Sequence, residues 1–201
     1  MLTKLTRFIA RLRRLLPRNW SDVLMGGETI REIETPLATR WSSGSLTVQL
    51  KRHRRTSNLY VVLACQYPGN LQYYLVSLEE FEEFAGNVRL LLGDLRVTQR
   101  ATGFETSDGS AGVATSGVSM MSADSLRTID TTVWHGLCNL SLRLKRDPAS
   151  SELHVVLVCT GGSGTWLYAL TAGQYEQFAS AVRAIRDDVR PLVHPSLQAR
   201  D

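Results

Sequence analysis

Apolar and polar residues alternate along residues 46–50 in a way that predicts a strand. Leu46, Val48 and Leu50 form one face, and polar side chains form the other. The next apolar segment, LYVVLAC (59–65), is hydrophobic on both faces, which is typical of a central strand covered on both sides. A further strand (71–77) follows. Ser77 and Glu80 resemble a capping box at the start of a helix, and apolar residues then recur at helical spacing from Phe81 to Leu95. The pattern predicts three strands followed by a helix.

The same pattern returns 94 residues later. Residues 45–95 align without a gap with residues 139–189, and 17 of the 51 positions are identical. Upstream, TIREIET (29–35) and SLRTIDT (125–131) align at an offset of 96 and predict a first strand in each copy. An internal repeat of this length indicates a duplicated half-domain. We therefore expect an α+β fold in which two β-β-β-β-α repeats, at 28–95 and 122–190, form two antiparallel sheets packed with two long helices in one domain.

Three segments fall outside these repeats. Residues 1–21 contain six basic residues, no acidic residue and leucines at helical spacing, a composition typical of a mitochondrial transit peptide. A plastid-targeting sequence, or a basic amphipathic helix that is not cleaved, remains an alternative. No apolar run is long enough to span a membrane. Residues 96–121, rich in Gly, Ser, Thr and Ala, predict a flexible linker, and residues 191–201 a tail.

Net charge alone gives little support for nucleic-acid binding. The formal charge is +4, but residues 22–201 contain 17 basic and 19 acidic residues, a balance of −2. Only local basic clusters could therefore bind phosphates. The densest is the KRHRR sequence at 51–55, which leaves the second predicted strand. The candidate phosphate-binding residues are Arg31, Arg40, Lys51, Arg52, Arg54, Arg55, Arg127, Arg143, Lys145 and Arg146. The candidate base-stacking residues are Trp41, Tyr60, Trp134, His154 and Trp166.

The sequence offers no pattern typical of an enzyme or a metal site. The three cysteines form no CxxC pair, and the four histidines have no second ligand at metal-binding spacing. The GGSG segment (161–164) lies between two strands, so it predicts a hairpin rather than a phosphate-binding loop. We therefore expect a protein that is not an enzyme and has no cofactor, with its cysteines in the core.

The doubled β-β-β-β-α unit resembles the superfamily of Whirly, PUR and kinetoplastid mitochondrial RNA-binding proteins. The strand-to-helix segments LVSLEEFEEFAGNVRLLL and YALTAGQYEQFASAVRAI resemble the corresponding passage in that superfamily, whereas the KGKAAL strand of plant Whirly proteins is absent. The resemblance is greatest to the kinetoplastid guide-RNA-binding type. It implies a Whirly-like fold and a tetramer, either of one chain or with a related paralogue. It also implies binding of single-stranded RNA through phosphates in the mitochondrial matrix, with RNA annealing; single-stranded DNA stays open as a ligand.

An assembly role is the main alternative. The chain could serve as a subunit of a mitochondrial ribosome or an RNA-processing complex, using the same fold mainly for contacts with proteins. The balance of −2 after the leader favours this hypothesis. It predicts that the KRHRR turn can be neutralised without loss of RNA affinity.

Overall fold

The computed structural model describes residues 27–38, 43–67, 70–102, 124–147, 150–161 and 164–193. The leader, Arg40, Trp41 and most of the predicted linker lie outside these residues. The elements of the first repeat are β1 (Gly27–Ala38), β2 (Ser43–His53), β3 (Leu59–Tyr67), β4 (Asn70–Val76) and α1 (Leu78–Thr102). Those of the second repeat are β5 (Asp124–Val133), β6 (Cys138–Arg146), β7 (Leu153–Gly161), β8 (Gly164–Thr171) and α2 (Ala172–Val193).

Each repeat forms its own antiparallel sheet of four strands in sequential order. One sheet has the order β1-β2-β3-β4 and the other β5-β6-β7-β8. The predicted α+β class, with two antiparallel sheets and two helices, is confirmed. Two predicted boundaries differ. Residues 96–102, which we assigned to the linker, continue α1, because this segment contains neither Gly nor Pro before Gly103. Residues 191–193 continue α2, whose last turn includes Pro191.

Both helices begin with the same reciprocal cap. The Ser77 N–H donates to Glu80 Oε2 at 2.8 Å, and the Glu80 N–H donates to Ser77 Oγ at 3.2 Å. In the second repeat the Thr171 N–H donates to Gln174 Oε1 at 3.0 Å, and the Gln174 N–H donates to Thr171 Oγ1 at 3.3 Å. Each cap satisfies backbone groups that a helix start leaves without partners. The predicted capping box at Ser77 and Glu80 is confirmed.

The repeats share their irregularities as well as their regular elements. The pairing of β1 with β2 shifts between Thr29 and Arg31, and the pairing of β5 with β6 shifts between Ser125 and Arg127. These are equivalent β-bulges at the offset of 96. The serines that follow β2 and β6, Ser57 and Ser151, also share a left-handed backbone, with φ of 58° and 59°. The duplication therefore preserved local backbone geometry.

Each helix packs against the first strand of the other repeat. Helix α2 contacts β1, α1 contacts β5, and the two helices contact each other. The start of each helix lies beside the later half of the other, where Arg186 Nε is 2.7 Å from Glu82 Oε2 and Arg96 Nε is 3.1 Å from Glu176 Oε1. One hydrophobic cluster includes side chains from both sheets and both helices. The repeats are thus interlocked around a shared core.

The three cysteines lie inside this core, as predicted. Cys65, Cys138 and Cys159 are all buried, and none of the three is in a disulfide bond. Burial, together with the neighbouring Cys65, raises the pKa of the Cys159 thiol well above its usual value. A raised pKa keeps a thiol protonated and unreactive. These side chains therefore act as core residues.

Candidate nucleic-acid interface

The KRHRR sequence forms a structured turn between β2 and β3. The His53 N–H donates to Asn58 O at 2.8 Å, and the Ser57 N–H donates to His53 O at 2.8 Å. The Thr56 N–H also donates to His53 Nδ1, at 3.2 Å. Because a backbone N–H can only donate, Nδ1 is the acceptor in this hydrogen bond, and Nε2 is the ring nitrogen that carries a proton. These bonds fix a turn on which Arg54 and Arg55 are exposed.

A turn of the second repeat faces it. Residues Trp134, His135 and Gly136, which connect β5 to β6, have φ of 55°, 53° and 87°. The Leu137 N–H closes the turn by donating to Trp134 O at 3.1 Å. A left-handed backbone is unusual for a bulky side chain, and two successive bulky residues adopt it here. The Trp134 side chain is nevertheless 37% exposed, so core packing does not account for it.

Glu80 connects this turn to the start of α1. Its Oε1 accepts the His135 N–H at 2.9 Å, while its Oε2 accepts the Ser77 N–H. Burial by itself would raise the pKa of Glu80, but hydrogen bonds from Ser77, His135 and Trp134 outweigh it, so the pKa is lowered. The carboxylate is therefore ionised at neutral pH, and it holds the two repeats together at this end of the molecule.

The two turns enclose a pocket of about 290 Å³. Its lining consists of His53, Thr56, Asn58, Leu59, Tyr60, Leu75, Ser77, Glu80, Trp134 and His135. The close approach of Tyr60 to β1 depends on Gly27, because a Cβ at that position would lie 1.9 Å from Tyr60 Oη. Sequence analysis identified Tyr60 and Trp134 as stacking candidates but missed His53, Glu80 and His135 as their neighbours. No spacing could reveal them, since the two sides of the pocket come from different repeats.

The two lysines predicted to bind phosphate are buried. Lys51 is 0% exposed and Lys145 is 7% exposed. Burial lowers the pKa of Lys145, Arg143 lowers it further, and Asp124 acts in the opposite direction. Strand alternation does place both lysines on the sheet faces away from the helices, beside Tyr60 and His154 in the neighbouring strands. In the isolated chain, however, neither lysine side chain is accessible to an RNA phosphate, contrary to our expectation.

The remaining predicted arginines are distributed over several places. Arg31 and Arg127 form ion pairs with Asp188 and Asp94, so their charges are partly neutralised. Arg143 is half-buried, with its Nε 3.3 Å from Ser141 Oγ. Arg146 is half-buried as well, whereas Arg52 at the equivalent position is exposed. The structure therefore brings together Arg52, Arg54 and Arg55 and separates the other described arginines, Arg31, Arg127, Arg143 and Arg146, from them.

The predicted stacking residues also separate into two groups. Tyr60 and Trp134 line the same pocket. His154 is buried, and burial lowers its pKa against the opposing charges of Glu152 and Asp147. Trp166 packs against the hydrophobic core. Of the stacking candidates that the structure describes, only Tyr60 and Trp134 are placed to meet a base in the isolated chain.

The equivalent turn of the second repeat keeps the backbone but loses the charge. The Asp147 N–H donates to Glu152 O at 2.9 Å, and the Ser151 N–H donates to Asp147 O at 2.8 Å. Asp147 and Glu152 replace His53 and Asn58 of the first repeat. An acidic turn repels phosphate, so the candidate interface belongs to the first repeat's turn.

Comparisons with known proteins identify no family for this chain. No protein-family model matches the chain, and a search of curated proteins finds no match either. Among the residues that the structure describes, no three His, Cys, Asp or Glu side chains are grouped so as to hold a metal ion. Neither α1 nor α2 is apolar enough over its length to cross a membrane.

Proposed function

We propose that this chain is a mitochondrial, non-enzymatic protein that binds single-stranded RNA through its phosphates. The observation that carries the proposal is the exposed cluster of Arg52, Arg54 and Arg55 on a hydrogen-bonded turn beside Trp134 and Tyr60. Guanidinium groups bind phosphate oxygens with paired donors, and neighbouring aromatic rings accept unstacked bases. Contacts to phosphates make such binding independent of sequence.

The cellular part of the proposal rests on the resemblance to the Whirly and guide-RNA-binding superfamily and on the leader composition. Under this proposal the protein works in the matrix as part of a tetramer, alone or with a more basic paralogue, and promotes annealing of RNA strands during editing or processing. A basic partner would compensate for the balance of −2 in residues 22–201. Single-stranded DNA, which has the same phosphates, would also bind.

Binding of a fluorescent single-stranded RNA at several salt concentrations tests the proposal. The full chain is compared with Arg52→Ala/Arg54→Ala/Arg55→Ala. Each lost phosphate contact removes about 0.7 from the slope of log affinity against log salt, so the slope should fall by about two. The charge-matched control is Arg89→Ala/Arg100→Ala/Arg183→Ala, which removes three exposed arginines of the helices. Equal losses in both variants, or no binding by the wild type at low salt, would refute the proposal.

The alternative assembly role is favoured by a different observation. Ile30 and Leu126, at the equivalent bulges of β1 and β5, are each 45% exposed. Both belong to terminal strands of their sheets, which are common sites of pairing with other chains. In this role, Ile30→Ser/Leu126→Ser would abolish oligomers in analytical ultracentrifugation, and the arginine variant would bind RNA as well as the wild type.

A further inference from the structure

We infer that the pocket between the two turns binds one unstacked nucleobase while the adjacent arginines hold its phosphates. The inference deepens the proposed function and rests on it. Its starting point is the joint contribution of two repeats to one cavity, with Tyr60 and Leu75 from the first and Trp134 from the second. A phosphate-binding turn would need no such cavity.

The size and walls of the pocket suit a flat aromatic ring. A volume of about 290 Å³ lies at the lower end of the range for small-molecule sites. Trp134 and Tyr60 line the pocket with aromatic side chains, and Leu59 and Leu75 line it with aliphatic ones. Because every base has a π face, stacking on such residues tolerates different sequences.

The backbone at Trp134 supports a binding role. A left-handed conformation at two residues with large side chains destabilises the turn, and such strain clusters at functional sites. Glycine would relieve the strain at φ of 55°, yet the chain has an indole there. The strained turn holds a part-exposed aromatic ring at the wall of the pocket.

Polar groups in the pocket favour some bases over others. The ionised Glu80 carboxylate is an acceptor, and the Nε2–H of His53 is a donor. An exocyclic amino group, as in adenine, cytosine or guanine, can donate to the carboxylate. The N–H of uracil lies between two carbonyl oxygens, which the carboxylate repels. The pocket therefore discriminates against uracil.

An abasic oligonucleotide separates base binding from phosphate binding. The full chain is titrated with a fluorescent 12-nucleotide oligo(A), with oligo(U), and with an abasic strand carrying the same phosphates. One stacked base corresponds to about a five- to hundred-fold gain in affinity. We expect oligo(A) to bind more tightly than the abasic strand by that factor, with oligo(U) between the two.

Trp134→Gly is the decisive variant, because glycine suits the left-handed backbone and a loss of binding would not arise from strain. We expect it to bind oligo(A) and the abasic strand equally. Leu137→Ala, in the same turn but outside the pocket lining, is the control and should behave as the wild type. Thermal melting of both variants checks that they fold. Unchanged discrimination in Trp134→Gly overturns the inference and leaves the proposed function standing.

Free adenosine monophosphate distinguishes a strand-borne base from a free nucleotide. We expect it to compete with oligo(A) only weakly, and only when Trp134 is present. Tight competition, with oligo(A) and the abasic strand bound equally, would overturn the inference by assigning the pocket to a free nucleotide. If no strand binds, the proposed function fails. In that case the inference fails with it, and binding of adenosine monophosphate that depends on Trp134 would assign the pocket to a free nucleotide.

Discussion

Arg127 in the second repeat forms an ion pair with Asp94 in the first, with 3.0 Å between Nε and Oδ2. Arg31 and Asp188 form the equivalent pair in the opposite direction, from β1 to α2. The two aspartates are repeat equivalents at the offset of 94, and the two arginines at the offset of 96. Two positions retained in both copies, one aspartate and one arginine, thus join each helix to the other repeat's sheet. This relationship gives the two arginines a structural role and partly neutralises the charges that we expected to bind phosphate.

The ion pairs predict a small effect on stability and no loss of RNA binding. Asp94→Asn/Asp188→Asn should lower the free energy of unfolding by about 0.4–2 kcal/mol in total, because each pair is partly exposed. RNA affinity should be unchanged or slightly higher, since two negative charges are removed. Urea unfolding and RNA titration measure the two quantities. A tenfold loss of RNA affinity in a folded variant would contradict this role.

The burial of the two lysines predicts that they contribute little to RNA affinity. Lys145→Met should change RNA affinity less than twofold, because the ammonium group does not reach the surface of the isolated chain. Arg52→Ala, one residue after the equivalent lysine of the first repeat, should lower it measurably. Titration at one low salt concentration suffices, with melting curves to verify folding. A larger effect of Lys145→Met than of Arg52→Ala would show that oligomerisation or RNA binding exposes the lysine.

His154 predicts a loss of stability on mild acidification. Burial lowers its folded-state pKa below that of the unfolded chain, about 6.5, so the unfolded state binds the proton first. Stability is therefore fully present above pH 6.5 and falls as the pH decreases below it. His154→Tyr introduces the residue type that the first repeat has at the equivalent position, Tyr60. This variant should reduce the dependence of stability on pH. Urea unfolding between pH 7.5 and 5 measures this dependence, and an unchanged slope in the variant would exclude His154 as its source.

More of the fold than of the candidate site could be predicted from the sequence. Strand alternation and the apolar helical face depend on local sequence, and so does the Ser77–Glu80 cap, which is why these features were predicted correctly. The packing of each helix against the other repeat's first strand was not predictable. Asp94 and Asp188 occupy the same position in the two copies, so the sequence does not show which arginine each of them pairs with. The burial of Lys51 likewise depends on how the neighbouring strands cover it. The pocket joins His53 to Trp134 across more than a third of the chain, so no motif contains both.

Substitution of Glu80 tests whether one carboxylate both stabilises the start of α1 and contributes to base binding in the pocket. The second repeat makes the same cap with Gln174, so Glu80→Gln should keep the fold. Because an amide has only one acceptor oxygen, the variant should lose the hydrogen bond from the His135 N–H as well as the contribution of the charge, about 0.3–1 kcal/mol at pH 7. Because the folded pKa of Glu80 is lowered, this contribution is present above the unfolded pKa and is lost as the pH falls through the folded one. The variant should therefore match the wild type in stability at the acidic end of a urea series. Gln174→Glu is the reciprocal control, since it adds a charge to the equivalent cap away from the pocket. If the pocket binds a base through the carboxylate, only Glu80→Gln should reduce the preference for oligo(A) over oligo(U).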